Sequence, residues 1–172
     1  MKRMICFSIF VAIIATFSSC RQHYDAFPQA LTTYFPYTED QTLTYTNEKG
    51  NMTSLKITEM YISKKYSQPF GVKCGGAEMH FSAKNDTMSI QGSMDIPCMS
   101  DGEAFGMIIH LSAGNVEYMK DFMGNVYSTQ ILSQIGDTIR FSKDDCSAIV
   151  VRYEGLVEFY DIQRDCTWTL IK

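Results

Sequence analysis

Beyond residue 41 the apolar positions recur every second residue, the signature of strands that bury one face, and not at the spacing of a helix. Leu43 and Tyr45 alternate with Thr42, Thr44 and Thr46, residues Glu48 to Asn51 supply a turn, and Leu55 and Ile57 alternate with Lys56 and Thr58. The pattern predicts a β-hairpin. A second hairpin is predicted where Ala77, Met79, Phe81 and Ala83 alternate with Glu78, His80 and Ser82, and Lys84, Asn85 and Asp86 turn the chain into Thr87 to Ser93. Phe105, Met107, Ile109 and Leu111 form a further strand that reverses at Ala113, Gly114 and Asn115 into Val116 to Met119.

From Val116 to Leu132 two periods compete. Val116, Met119, Phe122, Met123 and Val126 have helical spacing, whereas Gly124 and Asn125 break it and Val126, Tyr127, Thr129 and Ile131 favour extended chain. Short strands are expected here, with one helix as the alternative. The C-terminus reads as a three-strand meander: Ala148 to Tyr153, Leu156 to Asp161 and Cys166 to Ile171, with turns at Glu154 and Gly155 and at Gln163 to Asp165. Nine to eleven short strands in one chain point to an all-β antiparallel sandwich or partly closed barrel, because stacking or closure buries the apolar faces and removes edges.

The first residues follow another rule. Lys2 and Arg3 precede an apolar stretch from Ile5 to Phe17, after which the chain turns polar at Arg21, Gln22 and His23. That is the layout of a signal peptide, too short to span a bilayer, which takes about 20 apolar residues. Phe17, Ser18, Ser19 and Cys20 resemble the lipobox of bacterial lipoproteins, with Phe17 where an aliphatic residue is usual. The resemblance implies cleavage before Cys20 and acylation of its thiol, and two or more acyl chains anchor a protein stably. The expected layout is 1–19 signal peptide, 20–40 lipidated N-terminus and tether, and 41–172 a single β domain.

Composition then narrows the function classes. The chain holds fifteen Lys and Arg against nineteen Asp and Glu, so loss of Lys2 and Arg3 leaves a net charge of −6. Nucleic acid, which demands a basic face, is not an expected partner. Four of the six cysteines remain once Cys6 leaves with the signal and Cys20 is lipidated, and an even number in an exported chain suggests disulfides among Cys74, Cys98, Cys146 and Cys166. Cys74 and Cys98 lie equally far from a hairpin centre near residue 86 and are the preferred pair. Cys146 and Cys166 fall at one end of the meander but two strand spacings apart, about 9 to 10 Å, which exceeds disulfide reach unless loops converge.

Two segments are similar to small lipoproteins of Bacteroidetes: Tyr34, Phe35, Pro36 and Tyr37 leading to Gln41 through Tyr45, and Gly155 through Phe159 leading to Trp168, Thr169 and Leu170. The resemblance implies an envelope location and a β fold, and no activity. Arg21, Gln22, His23 and Tyr24 stand where surface-displayed relatives carry acidic residues, which leaves the side of the outer membrane open. Such bacteria O-glycosylate Asp followed by Thr or Ser and an apolar residue. Asp86, Thr87 and Met88, and Asp137, Thr138 and Ile139, match that tripeptide, so Thr87 and Thr138 are candidate acceptors in predicted turns.

Candidate chemistry is sparse. His80 and His110 both fall on the polar face of strands, but no third ligand has a recognisable spacing, and neither metal nor cofactor is expected. Asp144 and Asp145, with Asp137 and Lys143 near, lack the calcium-loop pattern, and Asp161 and Asp165 read equally as solvated acids. No nucleophile elbow, zincin motif, phosphate loop or dinucleotide fingerprint occurs, so no enzyme is expected. Tyr61, Tyr66, Phe70 and the methionines are candidates to line a carbohydrate or lipid cavity, although such residues mostly pack. The expectation is a non-enzymatic, lipid-anchored envelope domain that binds a protein, a small molecule or a glycan. An assembly accessory of an envelope complex is second, and a glycan hydrolase third.

Overall fold

The computed structural model describes residues 27–67, 74–97, 106–126 and 129–172. Ten strands follow in chain order: β1 Thr42–Asn47, β2 Met52–Ser67, β3 Cys74–Lys84, β4 Ser89–Ile96, β5 Met107–Ala113, β6 Val116–Phe122, β7 Thr138–Lys143, β8 Cys146–Val151, β9 Gly155–Asp161 and β10 Cys166–Leu170. They form one antiparallel sheet in the order β6-β5-β4-β3-β2-β1-β10-β9-β8-β7. Every strand except at the β6–β7 step pairs with its sequence neighbour, and β1 joins β10, with Tyr45 opposite Leu170. The sheet curls into a nearly closed barrel, as the alternating pattern predicts.

The barrel closes along a seam between β6 and β7. No backbone ladder joins these two edges. Instead the rings of Tyr118 and Phe141 stand 5.9 Å apart and Lys120 Nζ donates to the carbonyl of Arg140 at 3.1 Å. The connection across the seam carries one short helix, α1 Thr129–Ile135, whose Ile131 and Ile135 are buried. Of the residues with helical spacing, Val116 to Phe122 form strand β6 as expected, and the helix falls instead at Thr129–Ile135, where the pattern predicts extended chain. The β-branched residues there are poor helix formers, and burial of one face overrides that preference.

The lumen is filled from the N-terminal side. Residues 27–40, assigned to the tether by sequence, include Phe27, Leu31, Tyr34, Phe35 and Tyr37, none more than 7% exposed. A 3-10 helix, Leu31–Tyr34, enters this end. Tyr153 N donates to Thr33 O at 2.6 Å, and Tyr34 Oη donates to the carbonyl of Gly136. The rings of Phe35 and Tyr37 each stand 4.7 Å from that of Phe81 in mid-β3. Tyr37 Oη accepts from Leu156 N at 2.6 Å while Tyr45 Oη donates to Leu156 O at 2.9 Å. Gly155 makes this possible: its φ is +85°, and a Cβ there would lie 2.1 Å from Tyr37 Oη.

The opposite end carries the tight turns and is sealed by polar contacts. Buried Asp161 accepts from Arg164 Nη1 at 2.6 Å, and Arg164 Nη2 reaches the carbonyl of Thr87 at 2.9 Å, tying the β9–β10 turn to the β3–β4 turn. Gly114 in the β5–β6 turn accepts from Ile162 N at 3.1 Å.

Cys146 and Cys166 lie at this end as buried free thiols, which corrects the expectation of a bridge between them. Cys166 faces Asp161, and the pairing of Ala148 with Phe159 places Cys146 on the far side of the same Asp161 row. One whole strand intervenes, so the pair is beyond disulfide reach. Cys166 Sγ instead accepts from Asn47 Nδ2 at 3.5 Å. Cys20 and Cys98 lie outside the described residues, and with Cys98 the Cys74–Cys98 pairing. The hairpin that carries it pairs Ala77 with Ile96, about a centre between Asp86 and Thr87.

Candidate functional site

Two recesses among the described residues open outward from the sheet. One, of about 270 Å³, lies at the tight-turn end and is lined by the β3–β4 and β5–β6 turns, including Asn85, Thr87 and Asn115. Its most versatile polar group is already engaged. Asn85 Oδ1 accepts from Thr87 N and Met88 N, both at 2.9 Å, while Asn85 Nδ2 donates to Thr53 Oγ1 and Ser54 O. This recess is a consequence of turn architecture.

The other recess lies on the outer face of β3 to β6, has a volume of about 100 Å³, and is lined by His80, Gln91, Gly92, Ser93, His110, Ser112 and Glu117. Antiparallel register builds it. Tyr61, His80, Ser93, His110 and Met119 form one cross-strand row from β2 to β6, and Ser82, Gln91, Ser112 and Glu117 form the next row from β3 to β6. A small residue at the centre, Ser93, leaves the hollow between the larger side chains of His80 and His110. On the other face of β4, Gly92 leaves room for the ring of Phe81, whose Cε1 would be 2.3 Å from any Cβ at that position.

The rim is partly positioned by other side chains. The ring of Tyr61 stacks on that of His80 with centroids 5.1 Å apart and planes 27° from parallel. Glu59 Oε2 stands 3.8 Å from His80 Nε2, and Ser93 Oγ donates to Asp95 Oδ2 at 3.3 Å. By contrast, among the described residues no hydrogen bond or ion pair engages the side chains of Gln91, His110, Ser112 or Glu117. Four polar side chains around one hollow are thus turned to solvent together.

Sequence reasoning placed His80 and His110 on polar strand faces but not in one row, because their relation runs through two strand pairings with Ser93 between them. It missed Gln91, Ser93, Ser112 and Glu117. No group of three or more His, Cys, Asp or Glu among the described residues is arranged to hold a metal ion. Thr87 is exposed in its turn, with Oγ1 donating to Asn85 Oδ1 at 3.2 Å. Thr138 is also exposed but opens β7, opposite Val151, and does not lie in a turn as expected. Asp144 and Asp145 are exposed in the β7–β8 turn, and Asp137 stands 3.7 Å from Arg152. The side chain of Tyr66 and all of Phe70 lie outside the described residues.

The lumen offers a different chemistry. Tyr118 Oη and Trp168 Nε1 are buried there without a hydrogen-bond partner among the described residues. Burial, with the Cys146 thiol adding to it, pushes the Tyr118 phenol up to about 12. Burial likewise raises Tyr37 and Tyr45. The interior thus holds its tyrosines neutral, as packing groups.

No helix among the described residues is long and apolar enough to cross a membrane. No protein-family model matches the chain, and no curated protein or solved structure is significantly similar to it.

Proposed function

We propose that this chain is a lipoprotein of the bacterial outer membrane, of the kind found in Bacteroidetes, anchored through acyl chains on Cys20. Its barrel serves as a non-enzymatic binding module with its contact surface on the outer face of β3 to β6. The observation that carries the reading is the hollow floored by Ser93, around which the side chains of Gln91, His110, Ser112 and Glu117 have no hydrogen-bond or ion-pair partner among the described residues. Polar side chains held on strands and left unengaged around a concavity are what a binding site supplies.

The competing readings draw less support. A glycan hydrolase works with two carboxylates across a cleft; here Glu117 alone of the carboxylates lines the hollow, and Glu59 at the rim stands against His80, on the far side of that ring's strand from the hollow's centre. An assembly accessory would favour a contiguous apolar patch. Among the described residues the exposed large apolar side chains are spread over several strands and turns, at Met52, Tyr61, Ile62, Met119, Met123, Tyr153, Ile162 and Ile171.

Two measurements test the proposal. Wild type is expected to stay with membranes after alkaline washing and Cys20→Ala to be released; retention of the variant refutes the anchor. For the binding surface, the amide spectrum of the full chain in detergent micelles is compared with and without a soluble bacterial envelope extract. Shifts clustered on His80, Ser93, His110 and Ser112 are expected, and unchanged resonances there refute the assignment.

A further inference from the structure

We infer that the hollow on the outer face of β3 to β6 receives one ring of an uncharged saccharide chain, an assignment that rests on that hollow being the binding surface. The argument begins with size. His80 and His110 flank Ser93 on the strands either side of β4, so their Cα atoms are two strand spacings apart, about 9.5 Å. A helix, about 10 Å or more in diameter with its side chains, does not fit between them. A drug-sized ligand calls for about 300 Å³ or more, whereas this hollow holds about 100 Å³. It suits one ring of a polymer whose remainder runs along the surface.

Hydrogen-bonding capacity selects the chemistry of that ring. Gln91 offers two donors and an acceptor, Ser112 a hydroxyl that does both, His110 a donor and an acceptor when neutral, and Glu117 acceptors only. This mixture matches sugar hydroxyls, each of which donates and accepts. An apolar ligand would leave all of it unpaired. An anionic ring would meet Glu117, and none of the seven lining residues is Lys or Arg to offset it. Glu59, 3.8 Å from His80, adds a second carboxylate at the rim.

The rim also supplies a stacking element. Tyr61, 44% exposed, is stacked on His80 and stands at the end of the same row, beside the hollow. An aromatic pair of this kind gives the C–H face of a neighbouring sugar an apolar surface to lie on. The location fits a polymer as well. A chain too large to enter a lumen occupied by Phe35, Tyr37 and Phe81 reaches the outer face without any rearrangement of the barrel.

The test uses amide spectra of the full chain in detergent micelles, titrated with neutral tetrasaccharides of glucose, mannose and N-acetylglucosamine, with tetragalacturonate, and with zinc chloride. At least one neutral tetrasaccharide is expected to shift His80, Ser93, His110 and Ser112, with tetragalacturonate weaker by about tenfold or more. Gln91→Ala and Tyr61→Ala are each expected to raise the Kd about tenfold, the equivalent of about 1.4 kcal/mol. Equal binding of tetragalacturonate overturns the inference, as does a response to zinc alone. The envelope extract separates this inference from the reading beneath it. If its shifts survive periodate cleavage of sugar diols, the binding surface stands and the saccharide falls; if the untreated extract shifts nothing, both fall.

Discussion

Gly92 and Ser93 are neighbours on β4, both small, and they face opposite sides of the sheet. On the inner side the space left by Gly92 is occupied by the ring of Phe81, which is itself held by Phe35 and Tyr37. On the outer side the space left by Ser93 stays open between His80 and His110. One strand thus presents a filled vacancy and an unfilled one within a single residue step. In a barrel whose lumen is occupied by its own N-terminal segment, small residues inside serve packing, and the concavity available to a ligand is on the outside.

The largest effect should come from emptying the inside. Phe81 is fully buried, and Phe81→Ala is expected to cost about 4 kcal/mol in urea unfolding, the sum of lost transfer free energy and the cavity left behind. A loss below about 1 kcal/mol would mean that the lumen collapses around the gap and is not tightly packed.

Overfilling the same spot should come next. Gly92→Ala sets a methyl group 2.3 Å from Phe81 Cε1, and the ring has little room to retreat between its two aromatic neighbours. The expected cost is about 2 kcal/mol. Phe81→Leu combined with Gly92→Ala should recover part of it, and additive losses in the double variant would show that the two positions do not share one space.

Ionisation probes the interior without mutation. Burial raises the Tyr118 phenol from its ordinary 10 to about 12, and it raises Tyr37 and Tyr45 too. A group whose folded-state pKa is raised contributes stability that is complete below the unfolded value. That contribution is lost as pH rises from 10 toward 12. Unfolding free energy should therefore fall by on the order of 1 kcal/mol between pH 10 and 11 for a phenol shifted this far. Absorbance of ionised tyrosine should rise together with loss of near-ultraviolet circular dichroism. If the buried phenols ionise with folded structure intact, the interior is wetter than the packing implies.

How much of this contrast is legible in sequence depends on the range over which each feature is specified. Strands such as Thr42–Asn47 and Cys166–Leu170 are written in local alternation, since the pleat turns every second side chain inward. Their turns at Gly50, Gly114 and Gly155 are local as well. Residues 27–37 carry aromatics without a period because they plug the lumen around one 3-10 turn, Leu31–Tyr34, and their burial is decided by a barrel built from the rest of the chain. The pattern misplaces the helix Thr129–Ile135 for a related reason, because its β-branched Thr129, Ile131 and Ile135 read as extended chain and burial of Ile131 and Ile135 in the core selects the helix. The hollow was hidden further still. His80, Ser93 and His110 are thirteen and seventeen residues apart along the chain, and only the register of two hairpin pairings brings them into one row.

The smallest expected effect on stability is the sharpest contrast with Gly92. Ser93→Val exchanges a hydroxyl for a methyl group and adds a second one, a larger addition of carbon than Gly92→Ala makes one residue earlier. It removes the bond to Asp95, which at 3.3 Å is long, and places a β-branched residue on a strand, where such residues are favoured. These opposing changes should leave the unfolding free energy within about 1 kcal/mol of wild type, since the added carbon enters the hollow and not a packed neighbour. The same two methyl groups rise from the floor of the hollow and should abolish the tetrasaccharide-induced shifts at His80 and His110. A loss comparable to that of Gly92→Ala would show that the outer vacancy is as constrained as the inner one and is no binding surface. Unchanged stability with abolished shifts would leave the two sides of β4 as different as their neighbours suggest: one side closed by Phe81, the other left open at Ser93 between His80 and His110.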